Sequence, residues 1–410
     1  MSETVTRREA LEELAKRRAR ENLSSFVLYN HDDYIMGWFH REICRALKQF
    51  ALDVIAKKSP RLIITAPPRS GKSQLVSRDF PAWFLGNYPE SHIIASSYSS
   101  DLAGAMNTDV QRIIDGPRFR ELFPFVFLAS KEAAAKTGDT GAYKKTTDKF
   151  EIVHYRGSYR SAGVGGGITG MGADVLIIDD PHKDKAEAYS ATMRSRVHDW
   201  YASTAYTRLA PGGGVIVMCT RWHTDDLVGH LLEKAAHGGD QYHVINYPAI
   251  AEHDEKYRKE GEALHPERYN LLALTAIKAQ IGSELWAAMY QQHPVPEGGG
   301  TFKKAWVQYY KELPPFFDKK VLSWDMTFKD SKTSDYVVGS CWGRYQGSFY
   351  LIDQVRGRWD FVETLQRFCD FARKHNSVVR KLVEEKANGA AIISTLKKQV
   401  TGLIPINPTE

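Results

Sequence analysis

The chain has 410 residues, of which 43% are hydrophobic and 25% charged, and its formal net charge is +6. This length predicts two or three domains, and the composition is typical of globular proteins. The four cysteines lack the spacing of a zinc module, no apolar run could span a bilayer, and the N-terminus is charged where a signal peptide would be apolar. We therefore expect an intracellular protein whose modest positive charge permits a polyanionic partner without requiring one.

Residues 1–60 are predicted to form an N-terminal helical segment. From Ser2 to Asn22, Glu and Arg recur at helical spacings, which favours a solvated helix over a DNA-binding arm. From Tyr34 to Phe50, apolar and aromatic residues follow a helical period and predict an amphipathic helix. Those aromatic side chains can stack on an adenine ring or pack in the core, and the pattern leaves both uses open.

A phosphate loop is predicted directly after the first strand. Arg61–Thr65 is a short apolar run rich in β-branched residues, as in a buried strand. Ala66–Ser73 follows with the spacing of a nucleotide-triphosphate loop, although Ala66 replaces the usual first glycine. The alternative is a chance turn, but the order of strand, loop and helix favours the phosphate loop.

Each residue type in this loop has a chemical reason. Gly71 lets backbone N–H groups approach phosphate oxygens, Lys72 brings a positive charge to the β- and γ-phosphates, and the Ser73 hydroxyl can ligate Mg²⁺. The predicted nucleotide-binding residues are Arg69, Ser70, Gly71, Lys72, Ser73 and, from a later strand, Thr220.

A second half of the nucleotide site is predicted about a hundred residues later. His92–Tyr98 reads as a strand and residues 101–114 as a helix, and a glycine-rich segment then leads into an apolar strand that ends in Asp179 and Asp180. In phosphate-loop enzymes the first acid holds the Mg²⁺ shell and the next can polarise the attacking water. Alone, Asp-Asp-Pro is a common turn signal, but its position after a phosphate loop favours the nucleotide site.

Another buried strand is predicted at Val215–Thr220, after a turn at Pro211–Gly214. Ligands bind at the carboxyl ends of parallel strands, so Thr220 is placed to sense the γ-phosphate and Arg221 to contact phosphate or backbone. Strands alternate with helices over residues 61–232, which predicts an α/β fold with a doubly wound parallel sheet. We assign residues 61–295 to a P-loop ATPase domain of this class.

The best domain boundary follows a predicted helix at Leu271–Gln292. Two prolines and three glycines lie within His293–Gly300, a composition typical of a linker. We place the linker at residues 296–302 and a second domain at residues 303–410.

The second domain shows three strands, a helix, a strand and a helix, an order that matches the start of a ribonuclease-H-like α/β nuclease. The predicted elements are strands Val321–Thr327, Tyr336–Tyr345 and Ser348–Val355, helix Phe361–Lys374, strand Val378–Glu385 and helix Gly389–Lys398, followed by a short apolar piece at Leu403–Ile406. Asp325 and Glu384 lie on the first and fourth strands, and such nucleases need clustered carboxylates to hold two divalent ions about 4 Å apart. Ordinary strand-end acids are an equally open interpretation.

Together these motifs resemble the large subunit of tailed-bacteriophage terminases, over about residues 35–410. The phosphate loop alone is a common motif, whereas the combination with the later motifs is far more specific. The matching residues are Ala66–Ser73, Gly165–Gly170, Leu176–Pro181, Thr220-Arg221-Trp222-His223, Trp286 with Tyr290-Gln291-Gln292, Asp325, and Glu384 within Val383–Gly389.

The resemblance implies an N-terminal ATPase that translocates duplex DNA into a prohead, and a C-terminal metal-dependent endonuclease that cuts concatemers. It implies ATP and Mg²⁺ at the first site and Mg²⁺ or Mn²⁺ at the second. The implied catalytic residues are Asp180, Asp325 and Glu384, and the implied metal ligands are Ser73, Asp179, Asp325 and Glu384. Family members usually have Glu where Asp180 stands, and the shorter carboxylate reaches the water less far.

The implied partners are double-stranded DNA, the portal protein of the prohead, the small terminase subunit and further copies of the chain in a ring. No membrane is involved. The expected location is the host bacterial cytoplasm, without incorporation into the virion.

One departure from the family concerns the third nuclease acid, which normally lies on a helix well beyond the second. Here the sequence ends at Glu410, and the nearby acids Asp353, Asp360 and Asp370 do not occupy the expected place in the order. This predicts a truncated nuclease domain with weak or absent activity.

Ring motors of this kind often complete the site with an arginine from a neighbouring copy. Arg156 and Arg160 are candidates for that role, and Arg69 is a candidate within the same chain; a surface or structural role is the alternative for each. Two other functions also stay open. One is a DNA-dependent ATPase of the repair type with a non-catalytic C-terminal module, and the other is an inactive prophage remnant.

Overall fold

A computed structural model of the protein describes residues 7–130, 143–168, 170, 172–295, 308–325, 336–384, 393, 395–397 and 400–406. The chain divides into two compact units, Met1–Lys303 and Lys304–Glu410. The predicted linker at residues 296–302 and most of the predicted helix at residues 389–398 lie outside the described residues. Within the described part of the chain, no helix is both long enough and apolar enough to cross a bilayer.

The first unit contains a seven-stranded sheet. Its strands are β1 (Arg61–Thr65), β2 (His92–Ser97), β3 (Lys149–Glu151), β4 (Ser158–Gly163), β5 (Ala173–Asp179), β6 (Leu209–Cys219) and β7 (His243–Asn246). Their order across the sheet is β3-β4-β2-β5-β6-β1-β7, and every neighbouring pair is parallel except β3 with β4. The carboxyl ends of β5, β6 and β1 therefore lie side by side at one edge.

Helices connect and cover these strands. The α-helices of this unit include Arg7–Glu21, Leu23–Asn30, Trp38–Ile55, Ser100–Asp115, Pro117–Leu122, Lys185–Tyr189, Ala191–Trp200, Leu227–Ala236 and Leu271–Leu285. After β1, the chain is helical through Lys72–Gln74, a π-helical turn at Leu75–Asp79, and Phe80–Asn87. Further π-helical turns are Tyr201–Ala205 and Trp286–Tyr290, and a 3₁₀ turn is Tyr206–Arg208.

Alternate residues of the central strands enter two different cores. Leu62 and Ile64 of β1 pack in the same cluster as Phe84, while Ile63 packs in a second cluster with Leu227. Full burial of each such side chain contributes roughly 1.5–3 kcal/mol. Because both faces of the sheet are covered, the predicted doubly wound α/β fold is confirmed.

The predicted turn at Pro211–Gly214 is wrong, because these residues belong to β6. The pairing of β5 with β6 is irregular between Ala173 and Val175, so the glycine run forms a bulge within the strand. A Cβ on Gly214 would lie 2.4 Å from Cζ of Phe50. The glycines therefore permit close approach of a helix to the sheet, a use that resembles a turn signal in sequence.

The amphipathic helix predicted from Tyr34 begins at Trp38 instead and continues beyond Phe50 to Ile55. Its side chains Phe39, Ile43 and Leu47 are buried in the core. Of the two uses left open for this stripe, core packing is the one that these residues show.

The second unit contains a five-stranded mixed sheet. Its strands are β8 (Lys319–Asp325), β9 (Val337–Tyr345), β10 (Ser348–Gly357), β11 (Arg380–Glu384) and β12 (Leu403–Ile406), and helix Phe361–Lys374 lies between β10 and β11 in the chain. The order is β10-β9-β8-β11-β12; β8, β9 and β10 are antiparallel neighbours, while β11 runs parallel to β8 and β12. Trp324 and Phe368 join the strands to the helix in one core. This nuclease-like α/β arrangement agrees with the predicted fold class.

Candidate functional site

The loop after β1 has the backbone geometry of an anion-binding turn. Arg69 and Gly71 have left-handed φ values of 55° and 88°, and Lys72 begins the following helix. A Cβ on Gly71 would lie 3.0 Å from Nε2 of His40 and 3.1 Å from the Tyr34 hydroxyl. Glycine is therefore required here both by its φ and by the space, and left-handed residues beside a helix N-terminus direct N–H groups towards an anion.

His40 contacts this loop through a hydrogen bond to the backbone of Ser70. Its Nδ1 accepts the Gly37 N–H at 3.0 Å and its Nε2 lies 2.7 Å from the Ser70 carbonyl oxygen, an arrangement that requires the proton on Nε2. The side chain is 1% exposed, and burial lowers its pKa to about 4. A neutral imidazole thus joins the helix Trp38–Ile55 to the phosphate loop.

Lys72 lies between residues from two other strand ends. Its Nζ donates to the Thr220 hydroxyl at 2.8 Å and lies 3.8 Å from Oδ2 of Asp180. Oδ1 of Asp180 accepts the Thr220 N–H at 2.9 Å, and Asp180 itself has a left-handed φ of 46°. The structure therefore brings together the predicted loop lysine, the second acid and the threonine.

Asp179 is held by two serines of the helical segment that follows the loop. Ser73 Oγ donates to its Oδ1 at 3.3 Å, and Ser77 Oγ donates to its Oδ2 at 2.7 Å. Burial, together with the charge of Asp180, raises the pKa of Asp179 to about 7. A buried acid with a raised pKa beside a loop hydroxyl is the kind of group that a divalent cation would stabilise in its charged form.

A cleft of about 1140 Å³ is lined by Lys72, Ser73, Asp180 and Thr220, while Asp179 is 1% exposed and lies behind this lining. The lining of the cleft includes the loop and strand-end residues Arg69, Gly71, Lys72, Ser73, Asp180 and Thr220, together with His31, Tyr34 and Arg268. The Ser70 hydroxyl is buried, and no group among the described residues bonds to it. The unbonded hydroxyl, the lysine and the paired acids fit the phosphates and cation of a nucleotide, and the volume is sufficient for one.

Arg221 has a different position from the predicted phosphate contact. Its guanidinium Nε donates to both carboxylate oxygens of Asp226, at 3.0 and 2.8 Å, and Asp226 caps helix Leu227–Ala236. Its backbone N–H donates to Gln292 at 3.2 Å. Its Nη2 also donates to the His223 carbonyl oxygen at 3.4 Å, so Arg221 fixes the segment that carries Thr220.

The three arginine-finger candidates differ in position. Arg69 is exposed and lines the cleft. Arg160 donates from Nη2 to the Gly167 carbonyl at 2.9 Å, and Arg156 is exposed. Their role stays a prediction.

The two acids of the second unit lie at one edge of its sheet. Asp325 is the last residue of β8 and Glu384 the last of β11, and these strands are parallel neighbours in which Trp324 is level with Val383. Asp325 is exposed and Glu384 half-buried. The register thus places Asp325 and Glu384 each one residue beyond the last pair of these two neighbouring strands.

The nearby acids considered for a third position have local partners instead. Asp353 pairs with Lys374 and with His375, each at 2.7 Å. Asp360 caps the helix Phe361–Lys374, and Asp370 pairs with Arg373. These contacts explain the three residues structurally.

A family model described as "Terminase large subunit, T4likevirus-type, N-terminal" matches residues 63–308, which is more than half of the chain. The chain belongs to the terminase large subunit family. The family predicted from the motifs is therefore confirmed, and the match includes the phosphate loop, the acidic strand and the Thr-Arg-Trp-His segment.

Solved terminase structures are also similar to the chain. The large terminase of a thermophilic bacteriophage is 11% identical, with 88% of this chain and 82% of that one covered and a TM-score of 0.35. The HK97 bacteriophage large terminase is 13% identical, with 92% and 81% covered and a TM-score of 0.39. The ATPase domain of the Thermus phage P74-26 large terminase is 13% identical, with 59% and 91% covered and a TM-score of 0.36. The comparison with curated proteins gives no match.

Several residues of this terminase site were missed by sequence reasoning. Ser77 lies four residues after Ser73 on the same helical face, and that spacing was a usable signal. His40 and Gln292 contact residues 30 and 71 positions away in the chain, and local sequence contains no signal of such contacts.

Proposed function

We propose that this terminase large subunit is the ATP-hydrolysing motor of viral DNA packaging, which translocates duplex DNA into a prohead. The observation that carries the proposal is the meeting of Lys72, Thr220 and the acids Asp179 and Asp180 at the carboxyl ends of β1, β6 and β5. Membership of the family supports the packaging role.

When bound, ATP with Mg²⁺ supplies the phosphoanhydride whose hydrolysis releases free energy. In this proposal Lys72 would bind the β- and γ-phosphates in place of the Thr220 hydroxyl, and the loop N–H groups with the Ser70 hydroxyl would bind phosphate oxygens. Ser73 and Asp179 would hold the cation. Binding of the γ-phosphate would thus break the hydrogen bond between Lys72 and the Thr220 hydroxyl. The loss of this bond would transmit the binding event to the segment that Arg221 fixes.

Asp180 has the role of orienting the attacking water. Thr220 N–H holds its Oδ1 at 2.9 Å, while Oδ2 faces Lys72 at 3.8 Å and is available to accept a hydrogen bond from water. The Asp side chain is one methylene shorter than the usual family Glu, so its carboxylate would reach the attacking water less far.

The first test is DNA-stimulated ATP hydrolysis by the wild type, Lys72→Ala and the control Lys58→Ala, which removes an exposed lysine that pairs with Asp53. Loss of the phosphate-contacting cation should lower turnover by about 10²–10³-fold, while the control keeps the wild-type rate. Equal rates in wild type and Lys72→Ala, or no hydrolysis by the wild type, would contradict the proposal and favour an inactive remnant.

A packaging assay separates the motor from a repair-type ATPase. We expect DNA uptake into proheads only when portal protein is present, with the small terminase subunit promoting initiation on concatemers. DNA-stimulated hydrolysis that neither needs nor responds to portal would favour the repair-type alternative. A ring of copies around the duplex and action in the host cytoplasm belong to the same proposal.

We also propose that Asp325 and Glu384 form the first part of a metal-dependent endonuclease site with Mg²⁺ or Mn²⁺. The parallel register of β8 and β11, which places both acids at one edge, supports it. Plasmid cleavage in Mn²⁺ should be lost in Asp325→Asn and Glu384→Gln and kept in Asp370→Asn. Cleavage that persists in both Asp325→Asn and Glu384→Gln would contradict the site.

A further inference from the structure

Two histidines and an aspartate meet outside the nucleotide cleft. His198 lies on helix Ala191–Trp200, His230 on helix Leu227–Ala236, and Asp225 just before the latter. One possible ligand atom from each residue lies within 4.8 Å of the others. We propose that His198, Asp225 and His230 form a binding site for a divalent transition-metal ion such as Zn²⁺.

The donor set favours a transition metal over Mg²⁺, because imidazole nitrogens suit zinc, copper, iron and nickel, whereas Mg²⁺ prefers oxygen ligands alone. His198 is 9% exposed, and its buried Nε2 has no hydrogen-bond partner among the described residues. A buried imidazole nitrogen without a partner is unfavourable, and a metal ion or water would satisfy it. His230 and Asp225 are half-exposed, so an ion can reach the site from solvent.

Binding requires a local rearrangement. The two imidazole rings are stacked with centroids 3.9 Å apart and an angle of 7° between their planes. A tetrahedral ion about 2.1 Å from each donor separates the donors by roughly 3.4 Å, so a pair at the 4.8 Å limit would have to close by roughly 1.4 Å. A metal ion also lies near the plane of its imidazole, and the half-exposed His230 is the ring with room to turn.

Neighbouring positive charges limit the affinity. Arg194 donates from Nε to Oδ2 of Asp225 at 3.0 Å, and Lys234 lies on the same helix one turn after His230. The other carboxylate oxygen of Asp225 stays available for the ion. Three protein ligands leave at least one position for water, so we expect reversible binding rather than a closed structural site.

A bound ion would affect the segment that carries Thr220, because the site lies close to that segment in the chain. Asp225 follows that residue by five positions, and its N–H donates to Nδ1 of His223 at 2.9 Å. An ion held by His198 as well would join the start of helix Leu227–Ala236 to helix Ala191–Trp200. It would therefore restrain this segment without entering the nucleotide cleft.

The test is Zn²⁺ binding by the full chain, measured by calorimetry and by thermal unfolding in excess Mg²⁺, which occupies oxygen-only sites. We expect an affinity at least tenfold lower in His230→Gln and Asp225→Asn than in the wild type. The control His237→Gln, which alters an exposed histidine at the end of the same helix, should bind as the wild type does. Zn²⁺ should raise the melting temperature of wild type and control but not of His230→Gln.

The test uses a variant of the half-exposed His230, because substitution of the buried His198 can prevent folding and so abolish binding for an unrelated reason. Wild-type Zn²⁺ affinity in both His230→Gln and Asp225→Asn, or no binding by the wild type at a tenfold excess of Zn²⁺, would overturn the proposal. Either result would mean that the two histidines are a packing pair only. Neither result bears on the ATPase proposal, whose test uses Lys72.

Discussion

Lys72 donates to the hydroxyl of Thr220, which lies 148 residues further along the chain, so one side-chain hydrogen bond joins the phosphate loop to the end of β6. The phosphate loop and the Asp-Asp strand end were predictable, because their chemistry requires fixed residue types at short local spacings. His40 was not predictable as a site residue. In the sequence, His40 lies on the apolar stripe of a helix, which is the position that a core residue would also occupy.

His40 is expected to position the phosphate loop. In His40→Ala, the partly buried Gly37 N–H and the buried Ser70 carbonyl oxygen lose their partner, and an unsatisfied buried group costs about 1–3 kcal/mol. We expect a raised KM for ATP together with reduced stability. In His40→Gln, the side-chain amide N–H can replace Nε2 as the donor to the Ser70 carbonyl oxygen. In His40→Asn, the shorter side chain can replace only Nδ1, which accepts the Gly37 N–H.

The comparison of His40→Gln with His40→Asn therefore separates loop positioning from general stability. Nucleotide affinity, measured by fluorescence of a labelled ATP, should be restored in the Gln variant and not in the Asn variant. Equal affinity in the two variants at equal stability would contradict the positioning role.

Asp179 should make Mg²⁺ binding depend on pH. Its pKa is raised to about 7 by burial and by the charge of Asp180, so the carboxyl is protonated below this pH and ionised above it. Only the ionised form ligates a cation, so the apparent Mg²⁺ affinity should fall by up to about tenfold per pH unit below pH 7 and level off above it. The measurement is the Mg²⁺ concentration for half-maximal nucleotide binding from about pH 5.5 to about pH 8.5.

The control for that titration is Asp179→Asn, which should bind Mg²⁺ weakly and without this pH dependence. A wild-type Mg²⁺ affinity that stays constant across the range would mean that Asp179 does not exchange its proton for the cation.

At the scale of elements, the long strands and helices were predictable from apolar runs and periodicity, whereas the strands β3, β4 and β7 were not, and one turn prediction failed at a glycine run. Pro211–Gly214 has the composition of a turn, yet it is a bulged part of β6. Turns and β-bulges both favour glycine, so composition alone does not distinguish a turn from a bulge. Here the distinguishing feature is the close approach of Phe50 to Gly214, which is a tertiary contact.

Gly214→Ala is therefore expected to destabilise the first unit. The added Cβ would lie 2.4 Å from Cζ of Phe50 and 2.8 Å from Cγ2 of Val54, and overpacking of this kind costs about 1–3 kcal/mol. Gly172→Ala is the control, since a Cβ there meets no atom of the described residues within 4 Å. Urea unfolding of both variants measures the difference, and equal midpoints would refute the close-packing explanation.

Gln292 links the end of the π-helical turn Trp286–Tyr290 to the segment after β6. It is 2% exposed, has a left-handed φ of 59°, and accepts the Arg221 N–H through Oε1. Gln292→Ala leaves that N–H unsatisfied and should lower the free energy of unfolding by about 1–3 kcal/mol. The exposed Gln49→Ala should stay within about 0.5 kcal/mol of the wild type in the same urea experiment. Equal losses in both variants would contradict this link.

At the scale of the whole molecule, the two-part α/β organisation was predictable from the change in strand pattern, but the order of strands was not. Alternating strands and helices predict a parallel sheet, whereas the position of β6 between β5 and β1 depends on crossovers that the sequence pattern does not specify. That order is what places Thr220 between the acids and the phosphate loop.

The duplex should be bound mostly through phosphates, because a translocating motor cannot stop to read bases. We expect the logarithm of DNA affinity to fall linearly with the logarithm of salt concentration, with little dependence on base sequence. Filter binding at several salt concentrations measures this. A flat salt response, or a strong preference for one sequence during translocation, would contradict the proposed motor.

The central claim is that one nucleotide and its cation lie between the phosphate loop and the two acids. The most direct measurement is the position of Mn²⁺, substituted for Mg²⁺ and located by anomalous diffraction, in crystals with a non-hydrolysable ATP analogue. The account predicts Mn²⁺ about 2.1–2.3 Å from the Ser73 hydroxyl, with Asp179 in its coordination shell and the analogue's phosphates at Lys72. A manganese ion elsewhere, or an analogue bound away from Lys72 at saturating concentration, would contradict it.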